Sequence, residues 1–151
     1  MSDHTLHIVP SDPHFRPADS QISVALAAAE RFFPDADSIE SLISDTIQFF
    51  DAGSNFEAAY CPACDTLLPL DWWQDAMDAD YAESGFRLEP TRTPCCGRSL
   101  TLNELRYDWP QAFGRFDLTV QNPNVGDVAA DVLEALEAAL GTRLRVIHQH
   151  L

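Results

Sequence analysis

All four cysteines of the chain fall in two short segments, Tyr60-Cys61-Pro62-Ala63-Cys64-Asp65 and Thr93-Pro94-Cys95-Cys96-Gly97, and their placement constrains the fold more than any other feature. Two thiols three residues apart on a tight turn aim both sulfurs at one point, where a tetrahedral Zn²⁺ with soft or borderline donors fits. Pro62 fixes φ directly after Cys61, which suits a turn and not the interior of a strand or helix. The two segments therefore read as halves of one zinc site, with Cys61, Cys64, Cys95 and Cys96 as candidate ligands. A site closed by four thiolates holds structure together and leaves no position for a substrate.

Cys61-Pro62-Ala63-Cys64 resembles the knuckle of zinc-ribbon domains, which usually carry two such knuckles on neighbouring hairpins, the second often followed by glycine. Thr93-Pro94-Cys95-Cys96-Gly97 resembles the second knuckle, with Thr93 where its first cysteine normally stands and Cys95 one residue before its second. The resemblance spans roughly Phe56 to Leu105. It leaves two ligand sets open: Cys95 and Cys96 together, or Cys96 with a histidine, a carboxylate or water. Buried reduced thiols, disulfides and a redox pair at Cys61 and Cys64 compete with zinc. Against the redox pair, Cys64 is followed by Asp65-Thr66-Leu67-Leu68-Pro69, too soon broken by proline to be the helix such a pair needs.

At 151 residues, 46% of them hydrophobic, the chain is long enough for one domain over 1–151 with its own core. Residues 53–110 are expected to form an inserted zinc-binding lobe within it. No apolar run reaches the length of a membrane span, and Met1-Ser2-Asp3-His4 lacks the basic and apolar parts of a signal peptide. The expectation is a cytoplasmic protein with reduced, metal-bound cysteines and no membrane partner.

Charge is the second constraint. There are 24 acidic residues against nine basic ones, all arginine, for a net charge of −15. Such a field repels phosphate backbones, so nucleic acid is excluded as an ordinary partner, while basic proteins are attracted at high rate. Solubility, a salt-adapted host or a GC-rich genome would also produce this composition. Arg87, Arg92, Arg98 and Arg106 gather around the second cysteine segment, where they offset thiolate charge.

Leu6 to Val9 alternates as a short strand. Asp19 or Ser20 caps a helix with Ile22, Leu26, Ala29 and Phe33 at helical spacing, stopped by Pro34. Ser38 to Phe50 fits both periods, and its content of Ile, Phe, Ser and Thr favours strand. Phe56 to Tyr60 leads into the first knuckle. Asp71 caps a helix with Trp73, Met77 and Tyr81 on one side, closed by Gly85, and Phe86 to Glu89 is a strand. Thr101 to Glu104 has a capping-box pattern, and Tyr107-Asp108-Trp109-Pro110 plugs the junction with the main domain. Phe116, Leu118 and Val120 point one way along a half-buried strand, Val125 to Leu140 is a helix ended by Gly141, and Leu144, Val146 and His148 alternate on a last strand.

This order predicts an α+β fold: a ferredoxin-like split βαβ, β-α-β-[zinc lobe]-β-α-β, with a four-stranded antiparallel sheet and an inserted zinc-ribbon-like lobe.

No phosphate-binding glycine loop and no nucleophile elbow is present, so no catalytic residue is assigned. His148 and His150 share one face of the last strand by its period of two and are either a metal or proton-transfer pair or ordinary strand residues. The possible partner surface is Asp71, Trp72, Asp75 and Asp78, an acidic helix face beside a tryptophan; the alternative is a solvated face with the tryptophans packed inside. The expected function is a non-enzymatic, zinc-stabilised acidic interaction protein, sharpest as an immunity or inhibitor protein against a basic toxin or nucleic-acid-binding partner. Bacterial immunity proteins and nucleic-acid mimics resemble it in size and charge. The alternatives are a zinc enzyme with an open metal position and a scaffold domain.

Overall fold

The computed structural model describes residues 3–151. In chain order it forms β1 (His4–Pro10), α1 (Asp19–Phe32), β2 (Ser38–Phe50), β3 (Ala58–Tyr60), α2 (Leu70–Asp80), β4 (Tyr81–Ala82) and β5 (Gly85–Phe86). These are followed by β6 (Thr91–Arg92), β7 (Ser99–Leu100), a single 3₁₀ turn (Leu102–Glu104), β8 (Arg106–Asp108), β9 (Ala112–Gln121), α3 (Ala130–Leu140) and β10 (Leu144–His150). The described residues are α+β, with three α-helices and a six-stranded antiparallel sheet ordered β10-β1-β9-β2-β5-β4. Two small antiparallel pairs, β3-β8 and β6-β7, lie in the segment between β2 and β9.

The register sets the main core. Leu6 faces Val120 and Ile8 faces Leu118 across β1 and β9, while Ile39 and Ile43 of β2 face Val120 and Phe116. Because side chains alternate along a strand, this stacks Leu6, Ile8, Phe116, Leu118 and Val120 on one face. Ile22, Ala25 and Ala29 of α1 and Leu136 and Leu140 of α3 cover that face. Burying each of these large apolar side chains contributes about 1.5–3 kcal/mol.

A second buried cluster is built by the chain segment that follows β2 and precedes β9. Ala59, Cys61, Leu68, Leu100, Leu102, Leu105 and Tyr107 pack there with Ile47 and Phe113 of the sheet. Trp73 stacks on Phe56 at 5.2 Å and meets Tyr107 edge-on at 6.1 Å. Its indole N–H donates to the Tyr107 hydroxyl, which donates to the Leu102 carbonyl, so both polar tips are satisfied. Tyr107 is buried in this cluster, while Trp109 of the same segment stays 40% exposed.

The sheet has six strands where four were expected. The hairpin of β4 and β5 joins the edge of β2, with Phe86 opposite Ile47. Gly85, expected to close a helix, makes this approach possible: a Cβ there would lie 2.6 Å from Thr46 Cβ. Arg87 to Glu89 are not strand, because Leu88 has φ +53°. Ser38 to Phe50 is one strand, with a shift in register between Ile43 and Gln48 that gave its sequence a mixed period.

Both expected helix caps differ. α1 is preceded by Ala18, whose N–H donates to Gln21 Oε1 at 2.8 Å, and α2 by Pro69, with Asp71 inside its first turn accepting from Trp72 N–H. Tyr81 leaves the helix for β4. α3 begins at Ala130 and not at Val125, since Asn124 is left-handed at φ +58° and Val125 is exposed.

Candidate metal centre

The two cysteine turns are built alike. In the first, Cys61 N–H donates to the Thr66 carbonyl at 3.0 Å and Asp65 N–H donates to the Cys61 carbonyl at 2.8 Å. In the second, Thr93 N–H donates to the Arg98 carbonyl at 3.1 Å and Gly97 N–H to the Thr93 carbonyl at 3.0 Å. The fifth residue of each is left-handed, Asp65 at φ +60° and Gly97 at φ +70°. Superposing these bonds in sequence places Thr93 on Cys61, Cys95 on Ala63 and Cys96 on Cys64.

The turns bring all four thiols together. Cys61 Sγ lies 3.7 Å from Cys96 Sγ and Cys64 Sγ lies 3.4 Å from Cys95 Sγ. The four sulfurs all lie within 4.8 Å of one another, a cluster that could hold a metal ion. Cys61 is buried; Cys64, Cys95 and Cys96 face outward, and no disulfide links them.

The surroundings favour thiolates unevenly. Burial opposes ionisation of Cys61, but the N–H groups of Cys64 and Ala63 and the thiols of Cys95 and Cys96 outweigh it, lowering its pKa to about 6. Cys64 is lowered by the hydroxyl and N–H of Thr66. At Cys95 the Thr93 hydroxyl favours the thiolate, yet burial and the Cys64 and Cys61 sulfurs prevail and raise its pKa. Thr93 is buried, with Oγ1 3.5 Å from Cys96 Sγ and 3.9 Å from Cys61 Sγ. Of the nearby arginines, Arg106 pairs with Asp65 and lies 4.3 Å over the Tyr60 ring, and Arg92 donates to the Gly97 carbonyl.

The other candidate residues lie apart from this centre. Asp71, Asp75 and Asp78 are exposed on α2, while Trp72 is half-buried against the second cluster. His148 and His150 share a strand face, and His4 joins them: its ring stacks at 5.3 Å on His148 and at 4.5 Å on His150.

Three features escaped sequence reasoning. Asp80, buried at the end of α2, accepts from the N–H groups of Arg87, Leu88 and Glu89. Arg145 donates to the Asn103 side chain and the Gln111 carbonyl, tying β10 to the 3₁₀ turn. His7 Nδ1 lies 2.7 Å from Asp117 Oδ2. The only signal for that pair was a polar residue between apolar ones in both Leu6-His7-Ile8 and Phe116-Asp117-Leu118.

No protein-family model matches the chain, and no curated protein or solved structure does either. Among the described residues, no helix is long and apolar enough to cross a membrane.

Proposed function

We propose that this protein is a non-enzymatic, zinc-stabilised acidic interaction module, in its sharpest form an immunity or inhibitor protein that neutralises a basic toxin or nucleic-acid-binding protein. The observation that carries the reading is the four-sulfur cluster. Thiolates about 2.3 Å from a tetrahedral zinc stand about 3.8 Å apart, and the closest sulfur pairs, at 3.7 and 3.4 Å, suit that spacing. Four sulfurs fill the coordination sphere, so the metal is structural, the two turns form a zinc-ribbon-like pair, and no position remains to activate water. Reduced thiols accord with a cytoplasmic setting.

The strand order β10-β1-β9-β2, with α1 after β1 and α3 before β10, supports a ferredoxin-like split βαβ arrangement. In that reading the chain is a single domain over 1–151, and residues 53–110 are its zinc lobe. The acidic surface supports a basic partner: against 24 acidic residues, only two arginine–carboxylate pairs occur among the described residues, Arg16–Asp45 and Arg106–Asp65. The remaining carboxylates keep their long-range field.

X-ray absorption on protein purified with its binding partners tests the reading. One zinc on four sulfurs, with a co-purifying basic protein lost as salt rises, is the expected result. Nitrogen or oxygen donors at the metal would overturn it in favour of a zinc enzyme with an open position.

A further inference from the structure

Leu67 and Leu70 are large apolar side chains left 59% and 53% exposed, and both line one groove. The groove has a volume of about 350 Å³. Ala58, Pro69 and Trp73 also line it, Glu57 contributes a carboxylate, and no arginine does. Its floor is fixed from both sides. β3 pairs with β8 along one edge, and on the other the Leu68 N–H donates to the Ala59 carbonyl at 2.9 Å. Leu67 is held opposite Tyr60, directly after the first cysteine turn closes through Cys61 N–H and the Thr66 carbonyl.

Leu70 opens α2 at the border between two faces. At 3.6 residues per turn, Trp73 and Met77 follow on its packed side, where they join the second cluster. Asp71, Asp75 and Asp78 follow about a quarter-turn round, and all three are exposed. The groove thus passes directly into a carboxylate-rich face. An apolar centre with a charged rim is the anatomy of a protein-binding surface, the centre supplying affinity and the rim steering and register.

We propose that this groove and the acidic face of α2 are the docking surface for a basic protein, which inserts an apolar side chain flanked by arginine or lysine. The inference rests on the reading of the chain as an acidic interaction module and assigns that module its surface. Because Leu67 is placed by the first cysteine turn, metal binding and docking are linked.

The test is an NMR titration of the full, metal-loaded chain with a synthetic peptide bearing a central Leu-Phe pair flanked by arginines. A peptide with Ser-Ser at its centre serves as control. Shifts centred on Ala58, Leu67, Leu70, Trp73 and Asp71 are expected, absent with the control. The variant Leu67→Ser/Leu70→Ser should bind at least about tenfold more weakly. Both positions are exposed, so its metal content and circular dichroism should match the parent. Shifts spread over the carboxylates of α1 and α3, or affinity unchanged in the variant, would overturn the groove and leave the acidic module standing. Absence of binding anywhere on the chain would overturn both.

Discussion

Thr93 occupies in the second cysteine turn the position that Cys61 occupies in the first, with the same pair of backbone bonds around it. The second turn carries its first thiol at Cys95, two residues past the position equivalent to Cys61, within the same pair of backbone bonds. Thr93 Oγ1 is close enough to the Cys96 and Cys61 sulfurs to donate to a thiolate. The double variant Thr93→Cys/Cys95→Ala should therefore keep a four-sulfur site, read as unchanged metal stoichiometry and an unchanged thiolate charge-transfer spectrum with Co²⁺. Cys95→Ala alone should lose one sulfur from that spectrum. Thr93→Val should weaken metal binding about 10- to 100-fold, the usual effect of removing a supporting hydrogen bond. A double variant that fails to load, with Cys95→Ala unaffected, would sink the equivalence.

Asp80 carries the loop after β5. Its buried carboxylate accepts from three successive N–H groups at 3.1, 2.8 and 2.8 Å, and Leu88 between them is left-handed. Asp80→Ala leaves the Leu88 and Glu89 N–H groups without a partner, while Arg87 N–H keeps its bond to the Asp80 carbonyl, and should cost about 2–3 kcal/mol in chemical denaturation. Asp80→Asn, keeping one acceptor, should cost less. Equal losses in the two variants would mean that packing, not hydrogen bonding, is the role of the side chain.

What could be read from the sequence was local. Phe116, Leu118 and Val120 alternate, so their strand and its buried face were evident before the register was known. The cysteines declared themselves by spacing. The hairpin of β4 and β5 could not be read, because each strand is two residues long and is defined by its neighbours alone, β5 by pairing with β2 and β4 by pairing with β5. The start of α3 was misplaced since Val128 fits the apolar stripe, and it does pack there, but from non-helical backbone. His7 and Asp117 are 110 residues apart and meet only through the β1-β9 register.

That pair joins a half-buried histidine to the buried side chain of Asp117. Gln149 Nε2 donates to Asp51 Oδ1, a contact that fixes the amide and turns Oε1 toward His7 Nε2 at 3.2 Å. Both ring nitrogens of His7 then face acceptors, Asp117 at Nδ1 and Gln149 at Nε2, an arrangement that satisfies both N–H groups of the protonated ring. Burial opposes the charge, but the hydrogen bond and charge of Asp117 prevail and raise the pKa above 6.5. A base with a raised folded pKa adds stability fully below about 6.5 and loses it as pH rises through the folded value. Asp117→Asn should cost about 1.5–3 kcal/mol in mildly acid solution and progressively less in alkali. A penalty that does not change with pH would show that His7 is neutral in the fold.

The stack of His4, His148 and His150 has the opposite sign. His4 Nε2 lies 3.1 Å from His148 Nδ1, so one ring must accept while the other donates, and two protonated rings would oppose each other. Burial first, then the His150 and His148 charges, lower the pKa of His4 below 6.5. At His148 burial also lowers it, with Asp127 opposing and His150 adding to the shift. A base with a depressed folded pKa leaves stability intact above about 6.5 and takes it away as pH falls below that value. The stack therefore offsets the acid-side gain from His7, and the parent curve of stability against pH should be shallow near neutrality. His4→Gln removes the His4 share of that offset and leaves that of His148, so its stability should rise relative to the parent as the solution is acidified. Amide exchange should agree: in the parent, acid should accelerate opening where His4 pairs with His150, beyond the intrinsic pH dependence of exchange, while the β2-β9 ladder is unaffected. Parallel stability curves for His4→Gln and the parent would mean that the rings stack without titrating against one another.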